Sequence, residues 1–224
     1  MEKFKVTATV PMKGNSERVP NKNIRLLNGK PVCHWIIESL SKSKYVDEII
    51  INTDSEKIKE IVSNFHLVKV LDRPEFLLGD AVSMQPLLAY DIEYAKNEHI
   101  FQTHSTNPLL STETIDRAIE TYFSKLDTND ALFSVTPIQQ RFYFKNGEAV
   151  NHDPNNMIQT QLLEPIYHEN SCLYIFSRET NRNVKNRNGK NPYFFEMDPL
   201  EAADIDEWHD FLWAEFLMNQ KTIK

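Results

Sequence analysis

The feature that most constrains this chain is a rhythm of strand, helix, strand, helix and strand, completed within about 70 residues. An apolar, β-branched run from Phe4 to Val10 opens it. Val32, Trp35, Ile36, Ser39 and Leu40 then recur at helical spacing, with Pro31 suited to the first helical position. Ile49–Ile51 reads as a short buried strand, and Thr53-Asp54-Ser55-Glu56 has the spacing of a capping box for a second helix lined by Ile58, Ile61, Val62 and Phe65. Leu67–Leu71 alternates as a third strand. This order predicts an α/β fold built on a mainly parallel sheet with crossover helices. Open sheets of that kind bind ligands in the crevice beyond the carboxyl ends of their strands.

The same texture continues with a helix expected from Ser83 to about Glu98, a strand at Ile100–His104, a helix at Thr112–Leu126 and a strand at Ala131–Val135. From Gln139 to Asn170 it breaks. Phe142 and Phe144 alternate with polar residues and Asn146-Gly147 signals a hairpin, so this stretch reads as an excursion suited to a subunit contact or a lid. Strands at Ser171–Phe176 and Tyr193–Met197 and a helix at Asp206–Gln220 close the chain. With no repeat, linker or low-complexity segment, the expectation is a single domain over residues 1–224 carrying an arm inserted at about 139–170.

Composition narrows the function classes. A formal charge of −7 lacks the basic face that nonspecific nucleic-acid binding needs. There is no apolar N-terminal segment of signal-peptide length and no bilayer-spanning apolar run, which points to a cytoplasmic protein without a membrane partner. Cys33 and Cys172 form no C-x-x-C pattern and sit in apolar surroundings, so both are expected to be buried, reduced core residues.

Against that acidic background the first loop, Thr9 to Arg25, gathers four cations: Lys13, Arg18, Lys22 and Arg25. Ser16 and Asn23 add hydrogen-bonding groups, and Gly14 either lets the backbone pass close to a ligand or adopts a positive φ. Neither the Walker nor the dinucleotide glycine pattern is present. A polyphosphate suits such a loop, because charge-assisted contacts from Arg and Lys are the strong ones; a solvated surface loop has the same composition. At the far end of the chain, Asp204 and Asp206 share one side if extended, and Mg²⁺ is a natural ion between them. Alternatively Asp206 caps the final helix and Asp204 is solvated. Thr53, Asp54, Arg73, Asp80 and the turn from His104 to Asn107 each follow an expected parallel strand and would gather at one sheet end. No G-x-S-x-G elbow exists, so covalent catalysis is not favoured.

With these residues in place, the chain resembles the CMP-sialic acid synthetase (acylneuraminate cytidylyltransferase) family nearly end to end. The motifs are K-G-N-S-E-R-V-P-N-K-N-I-R (13–25), N-G-K-P (28–31), I-I-I-N-T-D (49–54), R-P-E-F-L-L-G-D (73–80), S-T-N-P-L-L (105–110), E-N-S-C-L-Y-I-F (169–176) and A-D-I-D (203–206). The resemblance implies a Rossmann-like sheet between helices, of the nucleotide-diphospho-sugar transferase type, with a β-rich dimerisation arm and hence a homodimer. It implies an enzyme transferring CMP from CTP to a small acidic acceptor, sialic acid or a related nonulosonate, with Mg²⁺ and release of pyrophosphate. Lys13, Arg18, Lys22 and Asp204 would be catalytic, and Gly14, Asn15, Ser16, Asn23, Arg73, Asp80 and Ser83 would bind nucleotide. His104, Thr106, Asn107, Gln161 and Asn170 would bind the acceptor, and Asp204 and Asp206 would hold the metal.

Three departures stand out. Lys13 occupies a position where the family usually has Arg, keeping charge and losing bidentate geometry. His104-Ser-Thr-Asn-Pro-Leu-Leu110 replaces Q-P-T-S-P-L-R, so a Gln and an Arg are missing, and an arginine is replaced around His168-Glu169. These changes fall on the acceptor side. A same-fold nucleotidyltransferase acting on another keto-sugar acid or a phosphonate, and a nucleotide-binding protein without turnover, are the alternatives.

Overall fold

The computed structural model describes residues 4–221; residues 1–3 and 222–224, the ends of the expected 1–224 domain, lie outside the described residues. The first run forms β1 (Val6–Thr9), every residue of which is buried, as expected of a strand covered on both faces. A small antiparallel hairpin, β2 (Leu26–Leu27) and β3 (Lys30–Pro31), precedes α1 (Val32–Lys42). Pro31 is the residue before the helix rather than its first turn. Then follow β4 (Val46–Thr53), α2 (Glu56–Val62), β5 (Val68–Asp72), α3 (Met84–Asp91), β6 (His99–Thr103) and α4 (Thr112–Lys125). The cap of α2 is Ser55, whose hydroxyl accepts from the Ile58 amide; Thr53 is still strand, so the capping-box reading is corrected by two residues. The expected helix to Glu98 also ends early, passing into a single 3₁₀ turn at Ile92–Tyr94.

The second half is less regular. β7 (Ala131–Ile138) and β8 (Ile166–Ser177) are both longer than expected, and α5 (Arg178–Val184), β9 (Pro192–Glu196) and α6 (Trp208–Lys221) complete the order. One seven-stranded sheet runs β5-β4-β1-β6-β8-β7-β9. β8 is antiparallel to both neighbours, whereas β1 runs parallel to β4 and β6, β4 to β5, and β9 to β7. Beyond the Thr103–Leu173 pairing, β7 and β8 continue past the carboxyl end of β6 as a two-stranded ribbon, Val135–Ile138 against Ile166–Glu169. The excursion springs from that ribbon and contains the Asn146-Gly147 turn, with a bridge between Tyr143 and Ala149.

Strand alternation divides the core into two layers. Ala8, Ile49 and Ile51 face α1, α2 and α4 through Ile36, Ile58 and Ile119. Ile50, Ile100 and Tyr174 face Leu88 and Ile92 on the other side. α6 packs apart from both, with Phe211, Ala214 and Leu217 against Leu27, Val32 and Leu109. Cys33 and Cys172 are buried free thiols whose pKa is raised by burial, Cys33 to about 12. Among the described residues no helix is long and apolar enough to cross a membrane.

Candidate active site

The carboxyl ends of β1 and β6 open onto a cavity of about 440 Å³. The loop after β1 lines it with Lys13, Ser16, Arg18, Lys22 and Asn23, the loop after β5 with Asp80, the turn after β6 with His104 and Thr106, and the segment before α6 with Asp204 and Asp206. Cations near residue 20 and acids near residue 205 therefore meet in one space. Backbone and side-chain ties hold them there. Lys22 Nζ donates to the Ile205 carbonyl and stands 3.5 Å from Asp206, with only 12% of its side chain exposed. Asn23 donates to the Lys13 carbonyl at 2.8 Å and accepts from the Ser105 hydroxyl, and the Ile205 amide donates to the Thr106 carbonyl at 2.9 Å.

Every cation pointing into the cavity is matched by an acid of the same chain. Lys13 pairs with Asp80, and Arg18 pairs with Asp206 at 3.0 Å and Glu207 at 3.3 Å. Asp206 and its neighbours raise the Arg18 pKa. Asp206 does not cap α6; instead Asp210 Oδ2 accepts from the Asp206 and Glu207 amides at 3.0 and 2.7 Å. Asp204 differs in kind. It is largely buried, and its Oδ1 has no hydrogen-bond partner among the described residues. Burial pushes its pKa up, Asp206 adds to that, and a hydrogen bond from Thr106 and the Lys22 charge oppose it. An ionised carboxylate with an orphaned buried oxygen calls for a cation.

That donor set fits Mg²⁺, which is bound by one or two carboxylates together with phosphate oxygens. Among the described residues no group of three or more His, Cys, Asp or Glu side chains converges as a metal cage. Asp204 has a free oxygen for such an ion, whereas Asp206 is engaged with Arg18 and Lys22.

Several sequence expectations are redirected. Gly14 does not adopt a positive φ. Its amide donates to Asp54 Oδ1 at 2.6 Å, and a Cβ there would lie 2.7 Å from Ser55 Cβ, so the glycine permits a close approach of two loops. Asn15 is exposed and outside the cavity lining. Arg73 spends its guanidinium on the Met12 carbonyl and on the Asn52 side chain and carbonyl; it lines a neighbouring hollow that shares Lys13 and Asp80 with the main cavity. Ser83 merely precedes α3, and Gln161 lies exposed in the arm, its amide bonded to Gln159. Asn107 is fully buried against the Ala203 carbonyl, so it shapes the turn rather than facing a ligand. Asn170 is also buried, holding Ser134, Thr136 and the Cys172 amide, and borders a second hollow that shares Asp204 and Asp206.

Gln102 and Arg187 stand against His104, and Tyr174 against Arg187; none of the three was an expected site residue. Arg187 Nη1 donates to Gln102 Oε1 at 2.7 Å, and Nη2 donates to the Tyr174 hydroxyl at 2.8 Å. A glutamine and an arginine thus stand beside His104, supplied from other positions than the absent motif residues. Gln102 carried a signal: a polar residue in a strand buried on both faces needs a partner. Arg187 carried none, since Asn186-Arg187-Asn188-Gly189 reads only as a turn.

Comparison with known proteins agrees with this geometry. The cytidylyltransferase family model matches residues 7–220. Post-translational flagellin modification protein B of Campylobacter coli is 29% identical over 98% of this chain and 97% of its own length. CMP-N,N'-diacetyllegionaminic acid synthase of Campylobacter jejuni is 28% identical over 97% of both chains. N-acylneuraminate cytidylyltransferase of Streptococcus agalactiae is 26% identical over 93% of this chain, which spans about half (52%) of that relative. In fold, the chain superimposes on CMP:2-keto-3-deoxy-manno-octonic acid synthetase complexed with CTP with a TM-score of 0.70, at 15% identity, covering 97% of this chain and 99% of that one.

Proposed function

This chain belongs to the cytidylyltransferase family of nucleotidyltransferases, and from that premise we propose that it transfers CMP from CTP to a nonulosonate acid of the sialic, legionaminic or pseudaminic type. An acceptor hydroxyl oxygen attacks the α-phosphorus and gives up its proton to solvent, the bond from that phosphorus to the bridging oxygen breaks, and pyrophosphate leaves with the electron pair. The observation that carries the reading is the meeting of Lys13, Arg18 and Lys22 with Asp204 in one cavity at the sheet end. Phosphoryl transfer depends chiefly on positioning and charge neutralisation, which such a set supplies.

In this mechanism Lys13 and Arg18 exchange their carboxylate partners for phosphate oxygens, while Lys22, anchored on the Ile205 carbonyl, stays in place. Asp204, with Asp206 once Arg18 has left it, would hold Mg²⁺. When bound, that ion neutralises phosphate charge and lowers the pKa of a nearby hydroxyl. The arm exposes Tyr143, Phe144, Met157 and Leu162, a set of apolar side chains suited to a second copy of the chain.

The test is pyrophosphate release from CTP over a panel of N-acetylneuraminate, legionaminate, pseudaminate, a shorter keto-sugar acid and a phosphonate. Turnover on one of the first three supports the reading. Turnover on the others alone moves the acceptor class, and CTP binding without release on any overturns catalysis.

A further inference from the structure

His104 ends a chain of hydrogen bonds that crosses from the second hollow to the main cavity. At its start, Glu169 accepts from the Tyr174 hydroxyl on one oxygen and from Asn188 Nδ2 at 3.2 Å on the other. Tyr174 in turn accepts from Arg187 Nη2, and the guanidinium lies 3.6 Å from the centre of the Tyr174 ring. Arginine carries donors only. Its contact with Gln102 therefore fixes the oxygen of that amide toward Arg187 and turns the nitrogen away, toward the Thr103 carbonyl at 3.0 Å and His104 Nε2 at 3.2 Å. Arg187 Nη1 also stands 3.4 Å from the same Nε2.

Two groups that can only donate thus face one ring nitrogen. That nitrogen must carry the lone pair, and a neutral imidazole with Nε2 as acceptor carries its proton on Nδ1. The His104 ring lines the cavity, and among the described residues Nδ1 makes no hydrogen bond. Burial, with Arg187 and Lys22 nearby, lowers the His104 pKa to about 3, so the ring stays neutral.

We propose that Gln102 and Arg187 are positioning residues that hold His104 as a fixed Nδ1–H donor to an anionic oxygen of the bound substrate. This rests on the reading above of a cavity that takes a nucleotide and an acidic acceptor. The oxygen belongs to the acceptor carboxylate or to a nucleotide phosphate. In either case His104 cannot take the acceptor's proton, because its cavity-side nitrogen already bears one.

The experiment labels the full chain with ¹⁵N-histidine and reads the ring nitrogens by two-bond proton correlation, the His104 signals being those lost in His104→Asn. The expected result is a protonated Nδ1 and bare Nε2, unchanged between about pH 5 and 8; titration in that interval, or a proton on Nε2, overturns the proposal. Gln102→Glu puts an acceptor against Nε2 and should move the proton there, with the KM of the contacted substrate rising about tenfold and kcat changing less. A wild-type tautomer in that variant counts against Gln102 as the positioning group. Arg187→Met should give a mixture of tautomers and Arg187→Lys should restore much of the Nδ1–H form; a Nδ1–H signal untouched by Arg187→Met removes Arg187 from the proposal. Added singly, CTP shifting the Nδ1 proton identifies a phosphate, N-acetylneuraminate shifting it identifies a carboxylate, and a shift with neither overturns the donor role. The spectra decide this even if no acceptor is turned over, so failure of the activity and failure of the wiring are told apart.

Discussion

The two walls of the cavity are built by opposite means. On one, Lys13 and Arg18 are about half exposed and paired with acids in contact with water. Exposed ion pairs contribute little to folding and are screened by salt, so phosphate oxygens can replace the carboxylates at little cost to the fold. On the other, His104 is backed by a continuous network in which Gln102 is fully buried and Arg187 and Tyr174 lie mostly out of water. Satisfied networks in low dielectric fix one geometry and are costly to break. One wall is adaptable, with charges that can change partners; the other is preset in a single geometry.

The sharpest way to break this contrast is Asp204→Asn, which keeps the side-chain shape and removes the charge. Pyrophosphate release should fall roughly 100-fold. Because burial raises the Asp204 pKa, its ionised form costs the fold, and the melting temperature should hold or rise. A joint loss of activity and melting temperature would mean that Asp204 is structural. Next, Arg187→Met should lower stability in chemical denaturation by about 1–3 kcal/mol, since it leaves Gln102 Oε1 without its donor.

Gly14→Ala should destabilise by about 1–3 kcal/mol, as the loops must part to relieve the contact with Ser55, and a thermal melt measures it. Arg18→Met is the counterpart on the adaptable wall: the KM for CTP should rise about tenfold and its dependence on salt should weaken, while the melting temperature stays unchanged.

A further effect is a pH dependence beneath the site. Asp91 is buried and accepts from Thr9 and Asn52 at 2.8 and 2.6 Å, yet burial dominates and raises its pKa to about 6. Between about pH 4 and 6 the unfolded carboxyl has released its proton and the folded one retains it, so stability falls as pH rises and levels above that window. Asp91→Asn should flatten this interval in a melting-temperature profile.

The first half of the fold was legible because its strands are short apolar, mostly β-branched or alternating runs and its helices show plain amphipathic spacing. The gathering of site residues was legible for a related reason: polar groups following parallel strands must emerge at one end. β8 was only half visible, since Ile166–Asn170 ends in the polar run His168-Glu169-Asn170 and pairs with the Pro-bearing stretch Val135–Ile138 of β7. α5 was invisible; R-E-T-N-R-N-V has one apolar residue, and what it buries is Asn181. Arg73 had the right location and the wrong employment, because no local pattern tells a ligand-facing guanidinium from one that staples the ends of β1 and β4. The histidine wiring depends on Arg187 arriving from a turn 83 positions away, a coincidence of tertiary structure that linear spacing does not encode.

The ribbon of β7 and β8 has one last consequence. A single strand is both stalk to the apolar arm and margin to the hollow bordered by Glu169 and Asn170. The length of backbone that carries the arm also seats Glu169 at the start of the hydrogen-bond chain ending on His104, so any load on the arm would fall on the anchor of that chain.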